Sequence, residues 1–193
     1  MDWLEIFTLV TGIAYIILEI RQKNLMWLVG IATSAAAMAV FWNGGLYASF
    51  ALNMYYFCVS FWGLYRWRAD SEKMRSHDGG KTGIHLNRLH LKTVIASAVI
   101  MAAGTVAAVA LLKSLDDPMS PLDASVAVLS AIATWWLGRA YISQWLLWIV
   151  ADMLSAVLCA TQGLYWMSAL YAVYAASAVY GYVHWKRFGT YIG

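Results

Sequence analysis

From Asn24 to Tyr65 the chain runs forty-two residues without a formal charge, and from Thr93 to Leu112 it runs twenty more. Between Ala140 and Trp185 the single formally charged residue is Asp152. A helix needs about 20 apolar residues to cross the hydrocarbon core of a bilayer, so the longest run must fold back as more than one span. In a soluble domain of 193 residues, helices this apolar would need cover on every side, and a chain this short has too much surface for its volume. Composition agrees: 62% of the residues are hydrophobic and 12% charged, against roughly half and a quarter in soluble domains.

Polar punctuation separates seven apolar segments: Trp3–Ile20, Asn24–Trp42, Leu46–Tyr65, Leu91–Lys113, Leu122–Gly138, Ser143–Thr161 and Leu164–Trp185. The expected fold is therefore an all-α membrane protein with seven transmembrane helices. Connections are short, as at Asn43-Gly44-Gly45 and Gln162-Gly163, except for the long, polar and basic stretch Arg66–His90. The first segment reads as a retained helix and not a signal peptide, because Asp2 and Glu5 precede it and Arg21 and Lys23 follow it. Placing the N-terminus outside and the C-terminus inside puts twelve of the thirteen Lys and Arg in inner segments, leaving Lys113 outside. The positive-inside rule therefore selects N-out, C-in. This basic bias also accounts for the net charge of +3 without nucleic acid as a partner. Trp3, Trp42, Trp67, Trp166 and Trp185 lie near span ends, where aromatic belts form. Cys58 and Cys159 fall inside spans and read as small apolar residues, neither a disulfide nor metal ligands.

An internal repeat organises these spans. An offset of 118 residues aligns Trp27-Leu28 with Trp145-Leu146, Gly45-Leu46-Tyr47 with Gly163-Leu164-Tyr165, and Ala51-Leu52 with Ala169-Leu170. It continues without gaps through Tyr56 and Tyr174, Gly63 and Gly181, and Trp67 and Trp185. Three helices, one linker and three more would give the repeats the same orientation, since the fourth helix restores direction. The expected domains are a first three-helix bundle over 1–67, a basic cytoplasmic loop with linker helix over 68–120, and a second bundle over 121–193. Parallel repeats are a transporter architecture, with substrate bound near the midplane between the halves.

Asp152 lies eight residues after Gln144, about 12 Å into its helix at 1.5 Å per residue. A carboxylate at that depth costs roughly 2.5–3.5 kcal/mol on insertion scales, so it either lines a pathway, is satisfied by neighbouring helices or is held protonated. Trp145 and Trp148, seven and four residues before it, share its helical face. Two indoles leading to an acid would make a stacking wall with a polar anchor for a flat or cationic organic molecule. The repeat counterparts of Trp148 and Asp152 are Gly30 and Ser34, so the expected site is asymmetric. Asn53 and Tyr56 form a second mid-depth polar pair, echoed by Tyr171 and Tyr174, and an Asn at such depth either lines a pathway or joins helices. Gln144, Gln162, Thr33 and Thr134 are weaker candidates, and Glu19 reads as an interfacial group near Arg21 and Lys23. Gly80-Lys81-Thr82 imitates a phosphate-loop ending but lacks the earlier glycine, having Arg75 there. His77, His85 and His90 lack metal-ligand spacing. No catalytic set, cofactor site or metal site is expected. An intramembrane enzyme using Asp152, or a structural membrane subunit, are the alternatives from other classes.

Gln144-Trp145-Leu146-Leu147-Trp148-Ile149-Val150-Ala151-Asp152 resembles the W-x-x-W-x-x-x-N/D signature of PnuC-type nicotinamide riboside transporters. Asn53-x-x-Tyr56 with Gly63 and Trp67, and Tyr171-x-x-Tyr174 with Gly181 and Trp185, are similar to further family motifs, and the likeness runs from about Asn24 to Trp185. The resemblance implies a seven-helix core of two three-helix bundles related to the SWEET fold. It implies a cofactor-free facilitator in the bacterial inner membrane, assembled as a homotrimer. It further implies alternating access, uptake of an unphosphorylated vitamin precursor, and trapping by a cytosolic kinase. Carried over by position, Trp145, Trp148, Asp152, Asn53 and Tyr56 would line the site. Asp152 stands where Asn is common, and short relatives include carriers of thiamine, riboflavin or deoxynucleosides. Nicotinamide riboside and thiamine are both flat cations, so either suits two aromatic walls and an acid, and proton coupling through Asp152 remains open.

Overall fold

The structure, a computed structural model, describes residues 3–44, 47–77, 83–114 and 121–192. Among them are seven helices and two three-residue strands. These are α1 (Trp3–Ile20), α2 (Leu25–Asn43), α3 (Tyr47–His77), β1 (Ile84–Leu86), α4 (Leu91–Ser114), α5 (Pro121–Gly138), α6 (Gln144–Thr161), α7 (Tyr165–Phe188) and β2 (Gly189–Tyr191). The helices follow the seven apolar segments in order. Among the described residues, Leu25–Asn43, Leu91–Leu111, Pro121–Gly138 and Gln144–Thr161 are long and apolar enough to cross a membrane. Gly45-Leu46 and Gly80-Lys81-Thr82, singled out above, lie outside the described residues.

The basic stretch after Tyr65 departs from the expected loop. α3 continues to His77 through Arg-Trp-Arg-Ala-Asp-Ser-Glu-Lys-Met-Arg, a run dominated by good helix formers. Charge marks where this helix leaves the apolar phase, not where it ends. Further on, β1 pairs in parallel with β2, Ile84 opposite Gly189 and Leu86 opposite Tyr191.

The chain divides into two compact units, residues 1–86 with 184–192 and residues 87–183. In the first unit α2 packs between α1 and α3. A Cβ placed on Gly63 would lie 2.5 Å from the Trp27 ring, so only glycine lets the indole of α2 seat against α3. Trp67 then meets Trp27 edge-on, with ring centres 5.1 Å apart, and lies 6.2 Å from Trp185. The three tryptophans are fully buried, so Trp67 and Trp185 are packing residues and not the belt expected from their places near span ends. Trp42 and Trp166 are exposed, which suits a belt. Trp185 also donates its indole N–H to the Ile20 carbonyl at 2.9 Å. Gln22, at φ 49°, fixes β1 by giving its amide N–H to the His85 carbonyl at 2.9 Å and accepting the His85 N–H at 2.7 Å.

In the second unit α5 packs against both α4 and α6. Trp136 gives its indole N–H to Ser97 Oγ at 3.0 Å, and its ring packs with Ile132 and Tyr141. α6 and α7 meet through a turn at Gly163, whose φ of 77° favours glycine. Beyond it Ser168 Oγ donates to the Ala156 carbonyl at 2.8 Å. A Cβ on Gly181 would lie 2.6 Å from the Trp145 ring, a second indole seated on a glycine.

Candidate substrate site

The face of α6 that carries Trp145, Trp148 and Asp152 is largely enclosed. Trp145 is 2% exposed and Asp152 8%, and Trp148 is partly buried. Their spacing of three and four residues makes one stripe, but the stripe is not uniform. Trp145 is committed to Gly181 of α7, which makes it a wedge between two helices. Trp148, nearly one turn on, keeps an enclosed indole N–H with no hydrogen-bond partner among the described residues. A buried donor left unpaired costs about 1–3 kcal/mol, so an arriving acceptor would recover that cost. Asp152 follows one turn later, and Tyr171 and Tyr174 of α7 lie near its carboxyl group. Those two rings meet edge-on, with centres 6.1 Å apart. Gln144 is fully buried at the start of α6.

The second unit therefore gathers six of the eight residues expected from sequence: Gln144, Trp145, Trp148, Asp152, Tyr171 and Tyr174. Asn53 and Tyr56 belong to α3 in the first unit. Asn53 turns its amide N–H back to the Ser49 carbonyl at 2.9 Å, while the Tyr56 carbonyl accepts from Ser60 Oγ at 2.7 Å. The weaker candidates Thr33 and Thr134 likewise bond carbonyls one turn back on their own helices. Glu19, near the end of α1, is buried. Among the described residues no group of three or more His, Cys, Asp or Glu could hold a metal ion.

One polar centre escaped the sequence reading. His85 is 1% exposed, stands edge-on to Trp67 at 5.9 Å, and feels both Asp70 and Arg66. Burial, more than its neighbours, lowers its pKa from the ordinary 6.5 to about 4, so it is neutral at pH 7. No spacing rule marks it, because a three-residue strand brings it to Trp67.

The comparisons place these apolar spans, and the acid beside aromatic rings, in the class of multi-pass membrane transporters. The family model described as Nicotinamide mononucleotide transporter matches residues 2–187, and the chain belongs to that family. Curated relatives include the Nicotinamide riboside transporter PnuC of Haemophilus influenzae, 27% identical over 188 residues, covering 96% of this chain and 80% of the relative. The protein of the same name from Escherichia coli is 26% identical over 205 residues, covering 96% and 85%. A solved structure, described as the crystal structure of the Vitamin B3 transporter PnuC, superposes with a TM-score of 0.68 at 25% identity. It covers 93% of this chain and 79% of the other. These relatives are transporters and not enzymes, and the chain fits a multi-pass protein of the bacterial inner membrane.

Proposed function

We propose that this protein is a facilitative carrier that brings nicotinamide riboside across the bacterial cytoplasmic membrane by alternating access, with phosphorylation inside trapping it. The observation that carries the reading is the α6 stripe, where a buried carboxylate, Asp152, lies one turn from an indole with an unused N–H. A pyridinium ring would stack on Trp148 while ribose hydroxyls bond Asp152. Tyr171 and Tyr174 close around the acid, Trp145 and Gln144 line the start of α6, and Asn53 and Tyr56 of α3 are further substrate-binding candidates. The names of the curated relatives support the choice of substrate over thiamine, riboflavin or a deoxynucleoside.

The same reading takes the chain as parallel 3+1+3 repeats of the SWEET type, with bundles over 1–67 and 121–193 and the loop and linker helix over 68–120. Two facts support it. Tyr47 and Tyr165, which open α3 and α7, are 118 residues apart, and so are Asn43 and Thr161, which close α2 and α6. Each bundle also seats one tryptophan on one glycine. The cation distribution supports N-out, C-in, and the working assembly is a homotrimer. Calorimetry of the purified protein against nicotinamide riboside, thiamine and riboflavin tests the substrate. Liposome uptake of radiolabelled riboside, with and without an imposed pH gradient, tests the mechanism. Binding of thiamine but not riboside would transfer the assignment to thiamine, and riboside accumulation driven by the pH gradient would replace facilitation with proton coupling.

A further inference from the structure

The first unit holds a cavity of about 580 Å³ formed where the α1–α2 connection, the charged end of α3, β1 and the last turns of α7 come together. That volume falls among small-molecule sites, which run from about 300 to 1,000 Å³. Among the described residues Arg21, Lys23 and Arg75 line it, with no acidic side chain beside them. All three are exposed and none forms an ion pair among the described residues. The nearby acid that does pair, Asp70, meets Lys73, which is not part of the lining. Asn24, Ser71 and His184 add polar groups that can bond an oxyanion. Asn24 makes no side-chain cap bond, so the positive end of α2 adds to the same field. Three cations around one concavity, without an ion-pair partner among the described residues, focus a positive potential. They repel each other until an anion arrives, and they disfavour a cationic substrate.

We infer that this cavity is a phosphate-group site, built from residues other than those around Asp152, which takes a nucleoside monophosphate or the headgroup of an acidic phospholipid. The two sources share the chemistry that cations and hydroxyl or amide donors recognise. Its placement on the cytosolic face rests on the orientation proposed above. On that face the phosphorylated form of a carried nucleoside would accumulate.

The test uses the full chain purified in neutral detergent at low salt. Inorganic phosphate, nicotinamide mononucleotide and nicotinamide riboside are titrated against the protein and the variant R21Q/K23Q/R75Q. Phosphate or mononucleotide should bind and raise Tm. Each cation removed should weaken that binding about threefold to fivefold, so the triple variant loses roughly thirtyfold to a hundredfold. Riboside binding should be equal in the two proteins, so failure of the carrier reading and failure of this one are told apart. Native mass spectrometry from vesicles of phosphatidylglycerol or phosphatidylcholine separates the sources. Acidic lipid retained by the wild type and lost from the variant assigns the headgroup, and a response to soluble phosphate alone assigns the nucleotide. If the triple variant does not fold, Arg75→Gln against the charge-keeping Arg75→Lys makes the same distinction, with only Gln expected to weaken binding. Equal affinity of wild type and variant for phosphate, mononucleotide and acidic lipid would overturn the inference.

Discussion

The α2–α3 pair and the α6–α7 pair share a device and differ one turn beyond it. In both, an indole near the start of one helix seats on a glycine of the next, Trp27 on Gly63 and Trp145 on Gly181. Three residues on, the first pair has Gly30, where an added Cβ would lie 2.9 Å from Ser60 Oγ and 3.8 Å from the Tyr15 ring. The second pair has Trp148 at the same offset, with an unused N–H. Four residues further, Ser34 turns its hydroxyl back to the Gly30 carbonyl at 2.7 Å, while Asp152 presents a buried carboxylate beside two tyrosines. One pair uses the position for close packing, and in the other the proposed function places the substrate there. The glycine wedge keeps the helices in register, which leaves the next turn free to diverge.

Breaking the shared device should have the largest effect. Gly63→Ala and Gly181→Ala each drive a methyl into a buried, rigid ring, and overpacking of this kind costs about 2–3 kcal/mol. Thermal unfolding in detergent should show similar losses for both, and Trp145→Phe should recover at least about 1 kcal/mol of the Gly181→Ala cost. Tolerance at one glycine and not the other would mean that the two wedges are not equivalent. The difference one turn on is probed by Asp152→Ala and Ser34→Ala. A hydrogen bond to a charged group is worth about 1.5–3 kcal/mol, so Asp152→Ala should weaken riboside binding by roughly tenfold to a hundredfold. Ser34→Ala removes a bond already spent within its own helix and should leave affinity within about twofold. Equal losses would place the ligand against both pairs.

What was legible in the chain follows from the solvent its segments meet. The helices of the apolar runs were readable because a bilayer demands long uncharged stretches, and α1 and α5 begin and end within a residue of expectation. The face shared by Trp148 and Asp152 followed from helix geometry alone. The roles of Trp67 and Trp185 did not. A tryptophan near a span end looks the same in sequence whether lipid or a glycine covers it, and the covering residue is contributed by another helix. The junction of β1, β2 and Gln22 was hidden for the same reason, since its bonds join residues 63 or more positions apart through strands too short to show a period.

That junction predicts an acid sensitivity for the first unit. The pKa of His85 in the folded protein, about 4, lies below its ordinary 6.5. Folding therefore favours the neutral ring. The stability this represents is fully present above pH 6.5 and is lost as pH falls toward 4. By pH 5 the loss should reach about 2 kcal/mol. Replacing the ring in His85→Leu should flatten the decline of Tm between pH 6.5 and 5 without abolishing the fold. An unchanged pH profile would mean that another group controls the acid response.

The smallest expected effect is the most specific to the comparison. Gly30→Ala brings its methyl to 2.9 Å from Ser60 Oγ, the end of a short side chain bonded to the Tyr56 carbonyl at 2.7 Å. The hydroxyl can rotate away only by giving up that bond, at a cost of about 1 kcal/mol. Ser60→Ala removes the obstacle, so the double variant G30A/S60A should be more stable than the sum of the two single changes implies, by about 0.5–1 kcal/mol. Riboside affinity should stay unchanged in all three variants, because in this pair the position serves packing. A fall in affinity with Gly30→Ala at unchanged Tm would mean that the first unit presents this position to substrate as the second presents Trp148.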